Sequence, residues 1–275
     1  MARIHHLDCA TLCTVAPRLL AGPGHAGLVC HVLLVETDDG LTLVDTGLGT
    51  ADIREPNARL GRVFTSLARP ILDESQTALR QVERLGYRAE DVRHLVMTHL
   101  DLDHAGGMSD FPKAKVHCTM QEHEAAFLSS DLLERRRYRQ KQWAHWPEFE
   151  LYRTRGASWF GFDAIELRGL PKDVLLVPLF GHTRGHAGVA VRGTNGWVLH
   201  AGDAYFHRGM VDSKTPVPPA IRLVGRAMDM DTPARRANRD RLRDLARAGE
   251  VRVFCAHDPV ELGALAGSAA AAAAI

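Results

Sequence analysis

Residues 98–107 read Thr98-His99-Leu100-Asp101-Leu102-Asp103-His104-Ala105-Gly106-Gly107. They close an apolar run, Val92-Arg93-His94-Leu95-Val96-Met97, that predicts a strand over 92–99. Four potential metal ligands, His99, Asp101, Asp103 and His104, therefore fall within six residues at a strand end. A chain leaving a strand can turn several neighbouring side chains toward one point, which ligands at i, i+2, i+4 and i+5 require. Imidazole and carboxylate together suit zinc, iron or manganese. The bland alternative is a solvated polar turn built on Gly106-Gly107.

Working outward, three more predicted strands end in the same residue types. Val174-Leu175-Leu176-Val177-Pro178-Leu179 runs into Gly181-His182-Thr183-Arg184-Gly185-His186. The strand over 196–203 ends in Asp203, and the strand over 251–257 ends at His257. Ligand-type side chains delivered by several strand ends are how a rigid scaffold presents a metal site.

The rest of the chain supplies the frame. Two apolar runs flank Asp38-Asp39-Gly40, the turn chemistry of a hairpin, and the second empties into Val44-Asp45-Thr46-Gly47. Segments 188–192 and 196–203 are joined through Gly193-Thr194-Asn195-Gly196, a second hairpin signal. Apolar spacing predicts helices over 73–85, with Asp73 or Ser75 as N-cap and Gly86 as the stop, and over 232–248. Hairpins at each end with strand–helix–strand units between them call for helices on the outer faces of two packed sheets. The expected fold is thus an α/β (α+β) αββα sandwich, a single domain over residues 1–265 with a low-complexity tail at 266–275. Residues 130–162, basic and then aromatic, look like an insertion, and 207–225 like a long Pro/Gly-rich loop.

Composition narrows the function class. At 45% hydrophobic and 24% charged, the 275-residue chain is an ordinary globular one, and a net charge of +1 gives no reason to expect nucleic acid as a partner. No apolar run reaches the roughly 20 residues that cross a bilayer, and the N-terminus lacks an apolar signal-peptide core, so no membrane partner and a cytoplasmic location are expected. Five cysteines without framework spacing read as free thiols.

The order Val44-Asp45-Thr46-Gly47, His-x-Asp-x-Asp-His, Gly-His-Thr-x-Gly-His, Gly202-Asp203 and His257 resembles the metallo-β-lactamase superfamily over residues 27–258. Within it the pattern is most similar to acyl-homoserine-lactone lactonases and glyoxalase-II-like thioesterases. The resemblance implies two divalent metal ions per chain, Zn²⁺ first. His99, Asp101 and His182 would hold one, Asp103, His104 and His257 the other, and Asp203 would bridge them. It makes Asp45 an orienting partner of the ligands and His186 a structural group.

Two positions depart from the pattern. The commoner motif is His-x-His-x-Asp-His, and Asp101 replaces its second histidine, a harder ligand that shifts preference toward iron or manganese. The lactonases carry a tyrosine three residues after the bridging aspartate, where this chain has Phe206; Tyr205 and His207 are the nearest donors.

The implied chemistry is attack of a metal-bridging hydroxide on a lactone or small carboxylic ester. Asp103 would carry the proton and Tyr205, if it turns inward, would assist the carbonyl. A thioesterase or phosphodiesterase of the same fold, or a diiron redox protein, is the alternative. The aromatic stretch from Trp143 to Phe162 could line a pocket for an acyl chain, pack the insertion onto the sandwich, or form a homodimer contact. The basic run Arg135, Arg136, Arg137 and Arg139 reads as a solvated helix face.

Overall fold

The computed structural model describes residues 2–14, 20 and 27–272, with side chains to residue 267. Twelve described strands form two six-stranded mixed sheets. The first has the order β1 (Arg3–Leu12), β2 (Leu28–Thr37), β3 (Gly40–Val44), β4 (Val92–Val96), β5 (Lys115–Thr119), β6 (Phe149–Tyr152). The second runs β12 (Val251–Phe254), β11 (Gly196–His200), β10 (Ala187–Gly193), β9 (Val174–Pro178), β8 (Phe162–Glu166), β7 (Ala157–Trp159).

Alternation along the strands shows how the layers stack. On β2, Leu33 and Val35 join the cluster between the sheets, while Val32 and Leu34 face the helices outside. On β9, Val174 and Leu176 point inward, and Leu175 and Val177 meet the helix Thr232–Ala248 through Leu242 and Leu245. With both faces covered, these strands read as unbroken apolar runs rather than alternating ones. Each fully buried Leu or Val stabilises the fold by about 2 kcal/mol. The result is the expected αββα sandwich. Among the described residues no helix is long and apolar enough to cross a membrane.

Several expectations change. The helix after residue 73 begins at Ala78, capped by Thr77, because Asp73 caps a separate 3₁₀ turn, Glu74–Gln76. The stretch 207–225 is not one long loop: it holds a turn at Arg208–Met210 and the start of a helix, Pro219–Met228. A C-terminal helix, Pro259–Ala272, runs through the boundary expected at residue 265. The segment 130–162 is no appendage, since it contributes β6 and β7, one edge strand of each sheet. Strands β1, β5, β6, β7 and β8 lie outside the apolar runs and turn signals described above.

Topology aims the strand ends. β3 and β4 are parallel, as are β11 and β12, and β9 lies antiparallel to β10, which is antiparallel to β11. The residues just past β3, β4, β9, β11 and β12 are Asp45, His99, His182, Asp203 and His257. The loop after β4 is tied to the second sheet by Ala187 N–H donating to the Thr98 carbonyl at 2.8 Å.

Candidate metal centre

β4 ends at Val96, and the next turn of chain is held open by its own backbone. The Asp101 carbonyl accepts from His104 N–H at 3.0 Å and Ala105 N–H at 2.9 Å, starting a one-turn helix that sets Asp103 and His104 side by side. Glycine is required just beyond. A Cβ on Gly106 would lie 2.1 Å from Asp52 Oδ2, and one on Gly107 2.8 Å from the Thr46 carbonyl oxygen.

Three of the histidines have a defined tautomer. His99 Nδ1–H donates to Thr98 Oγ1 (2.9 Å), His104 Nδ1–H to Asp45 Oδ2 (2.8 Å), and His257 Nδ1–H to the Val29 carbonyl (2.8 Å). Each Nε2 is then left as a lone pair pointing into the cluster. His104 Nε2 lies 3.4 Å, and His257 Nε2 3.1 Å, from Asp203 Oδ1. Donors about 2.0–2.1 Å from a tetrahedral zinc lie about 3.3 Å apart. His99 Nε2, His104 Nε2 and Asp203 Oδ1 are buried and have no hydrogen-bond partner. Lone pairs facing lone pairs in a dry interior need a cation between them. The donor set therefore fits a metal ion.

Electrostatics agree. Burial opposes charge on Asp203, but His257, His104 and His182 outweigh it and hold its carboxyl well below the usual range. Burial likewise opposes charging His104, yet Asp203 and Asp45 pull its imidazole well above the ordinary value. These surroundings call for positive charge. The ligand atoms of His104, Asp203 and His257 lie within 4.8 Å of one another, as do those of His99, His182 and Asp203. Cys30, Asp103 and His257 form a third such group. Cys30 was not singled out by its sequence context, and burial pushes its thiol pKa up.

Asp45 sits in the left-handed region at φ 59°, where its carboxylate accepts from Thr98 N–H and Thr98 Oγ1–H, each at 2.8 Å, besides His104. Asp45→Ala is expected to weaken metal affinity 10–100-fold, as losing an orienting partner does. Competition with a chromophoric chelator measures this, and unchanged affinity would remove Asp45 from the site. His186 is structural in its contacts: Nδ1–H donates to the Leu179 carbonyl and Nε2 accepts from Asp203 N–H, both at 2.9 Å.

Two expectations are redirected. The Tyr205 hydroxyl donates to Glu261 Oε1 at 3.0 Å, and its ring is fully buried in the core of the second sheet. Phe206 instead meets the cluster, its ring 5.5 Å from both His182 and His257. His207 Nδ1 accepts from Gly209 N–H at 3.1 Å. The aromatic stretch is chiefly packing: Trp143 contacts Phe127 outside the first sheet, and Trp159 contacts Trp197 beside the second.

The basic run is not a uniformly solvated face. Arg135 and Arg136 are exposed, but the Arg137 side chain is only 10% exposed and reaches the cluster. Its Nε and Nη2 donate to Asp101 Oδ1 and Oδ2, both at 2.5 Å, and Nη2 also donates to His182 Nε2 at 2.6 Å. Burial and this guanidinium push the His182 imidazole well below its ordinary pKa. Glu122 was also missed. It is fully buried, and its Oε1 accepts from Leu100 N–H (2.8 Å) and the Tyr138 hydroxyl (3.0 Å), Oε2 from Thr183 Oγ1–H (2.6 Å) and Gly185 N–H (3.2 Å).

Residues 25–257 match the profile of the metallo-β-lactamase superfamily. The chain belongs to the metallo-β-lactamase superfamily. Among relatives in this superfamily, a probable metallo-hydrolase of Mycobacterium tuberculosis is 45% identical over 260 residues, covering 94% of this chain and 80% of that protein. An N-acyl homoserine lactonase of Bacillus cereus is 31% identical over 100 residues, 36% of this chain and 40% of that one. The solved structure of an N-acyl homoserine lactone hydrolase, with N-hexanoyl-L-homoserine at its catalytic metal centre, superposes with a TM-score of 0.69 at 20% identity, over 95% of each chain. That last likeness is one of fold.

Proposed function

We propose that this superfamily member is a metal-dependent hydrolase that opens a lactone or cleaves a small carboxylic ester. The observation that carries the reading is the buried set of lone pairs on His104, His257 and Asp203, with no hydrogen-bond partner for His104 Nε2 or Asp203 Oδ1. Three donors of imidazole and carboxylate type favour Zn²⁺. When bound, such an ion polarises a carbonyl and makes water a nucleophile near neutral pH.

The chain's own groups do the rest. Asp45 fixes the His104 ring, and Val29 fixes that of His257. Asp103, partly exposed and with Oδ2 3.8 Å from His257 Nε2, takes a proton from the attacking water and returns it to the leaving alkoxide. Phe206 supplies an apolar wall against the two histidines, keeping bulk water from the reacting carbonyl. Tyr205 has no part, because its hydroxyl is committed to Glu261. Two ions bridged by Asp203 is the arrangement the resemblance implies, but the nitrogen of His182 that would hold the first already accepts from Arg137.

Lactones lead among substrates because both the lactonase relative and the lactone-hydrolase fold neighbour act on them. The test is a pH-indicator assay on N-acyl homoserine lactones and simple γ- and δ-lactones, with zinc, manganese or iron supplied. Turnover with kcat/KM above about 10⁴ M⁻¹s⁻¹ is expected, the range of natural enzyme–substrate pairs. Rates far below that with every metal, alongside rapid turnover of a thioester or phosphodiester, would overturn the substrate class.

A further inference from the structure

We propose that the guanidinium of Arg137 takes the place of one of the two metal ions, so that the chain holds a single divalent ion, at His104, Asp203 and His257. The inference rests on reading the His/Asp cluster as a metal centre, and concerns how many ions it takes.

The contacts of Arg137 are those of a built cation site. Both Asp101 oxygens are engaged by the planar fork, Nε on Oδ1 and Nη2 on Oδ2, each at 2.5 Å. Nη1 donates to the Met228 carbonyl at 2.7 Å. All three guanidinium nitrogens therefore have partners inside a nearly closed site, the geometry in which arginine recognises a carboxylate best. Its base is fixed as well. Arg137 ends the helix Leu132–Arg137, and the next residue, Tyr138, donates its hydroxyl to Glu122, the carboxylate that also holds the loops of His99 and His182.

His182 decides between guanidinium and metal. A neutral imidazole has one acceptor nitrogen, and that of His182 accepts from Arg137 Nη2 at 2.6 Å. The same lone pair cannot also bind an ion. Its other nitrogen, Nδ1, is buried with no hydrogen-bond partner, whereas His99, His104 and His257 each have Nδ1–H anchored. Metal-binding histidines almost always have that second nitrogen engaged. His182 is thus the one member of the cluster without the support a ligand needs and with its ligand atom already used.

Asp101 then has a reason to be a carboxylate. A histidine there could not accept two parallel N–H bonds from a guanidinium, while an aspartate neutralises it and fixes its plane. The fixed positive charge beside Asp101 and His182 is permanent and cannot be chelated away.

The experiment is metal counting on the purified chain, loaded with excess zinc, desalted, and measured by plasma mass spectrometry. The cobalt(II) form gives an optical readout of coordination independent of turnover. Wild type is expected to hold close to one ion per chain. His182→Ala should leave that count unchanged, and His257→Ala should lower it toward zero. Arg137→Met should raise it toward two, with circular dichroism confirming the fold. If Arg137→Met does not fold, the double variant Asp101→His with Arg137→Met removes both charges together and carries the same expectation. Two ions on wild type, loss of the ion in His182→Ala, or no gain on removing Arg137 would each overturn the proposal while leaving a metal centre. No bound ion under any loading would overturn the metal reading itself.

Discussion

Asp203→Ala is expected to empty the centre of metal and lower kcat/KM by at least about 10³-fold, since a catalytic ion supplies several kcal/mol of transition-state stabilisation. Its two oxygens serve both donor groups. Oδ1 faces His104 at 3.4 Å and His257 at 3.1 Å, and Oδ2 faces His182 at 3.2 Å and His99 at 3.8 Å. No other side chain touches all four imidazoles in this way among the described residues. Asp203→Asn should fall between, because an amide oxygen still coordinates but carries no net charge. Metal content and steady-state kinetics on the same preparation give the answer. Retained metal with wild-type kcat/KM would remove Asp203 from the mechanism.

Glu122→Ala should have the largest effect on stability, about 3 kcal/mol. Removing it strands four buried donors, on Leu100, Tyr138, Thr183 and Gly185, each costing about 1–3 kcal/mol if left unpaired, less whatever water can reach. For a chain of this size that is a Tm lower by about 6–12 °C. Glu122→Gln keeps the shape but points an N–H₂ group at donors, so an intermediate drop follows. A thermal melt showing a change of less than about 2 °C for the alanine variant would mean that the two ligand loops hold their positions without this carboxylate. Because Glu122 also receives the Tyr138 hydroxyl, the variant should loosen the base of Arg137 as well.

How much of this was visible in the chain differs from residue to residue. The motif His99-x-Asp101-x-Asp103-His104 announced itself because ligand chemistry demands particular side chains, and strand ends are readable from apolar runs. The sandwich followed from hairpin turns and helix spacing. Arg137 did not, for a physical reason: three arginines in a row have no periodicity that says which turns inward, and its partners lie 36 and 45 residues away in sequence. Glu122 was hidden differently. At the third position of a helix capped by Thr119, an acidic residue looks like an ordinary end-of-helix charge, and nothing local reveals the loops it receives. Tyr205 and Phe206 show the cost of a one-residue ambiguity. The Tyr205 hydroxyl goes to Glu261 while the Phe206 ring goes to His182 and His257, so the ring at the histidines is the one without a hydroxyl.

The stretch from Leu132 to Glu166 carries Arg137 at its start and then β6, β7 and β8. A surface loop in such a scaffold can be lengthened, trimmed or exchanged between relatives at little cost. This one cannot be handled that way: transplanting it would swap a charge at the centre and an edge strand of each sheet in a single cut. Diversification of this part of the chain is therefore restricted to single substitutions, while the turns that end no ligand-bearing strand remain free to vary.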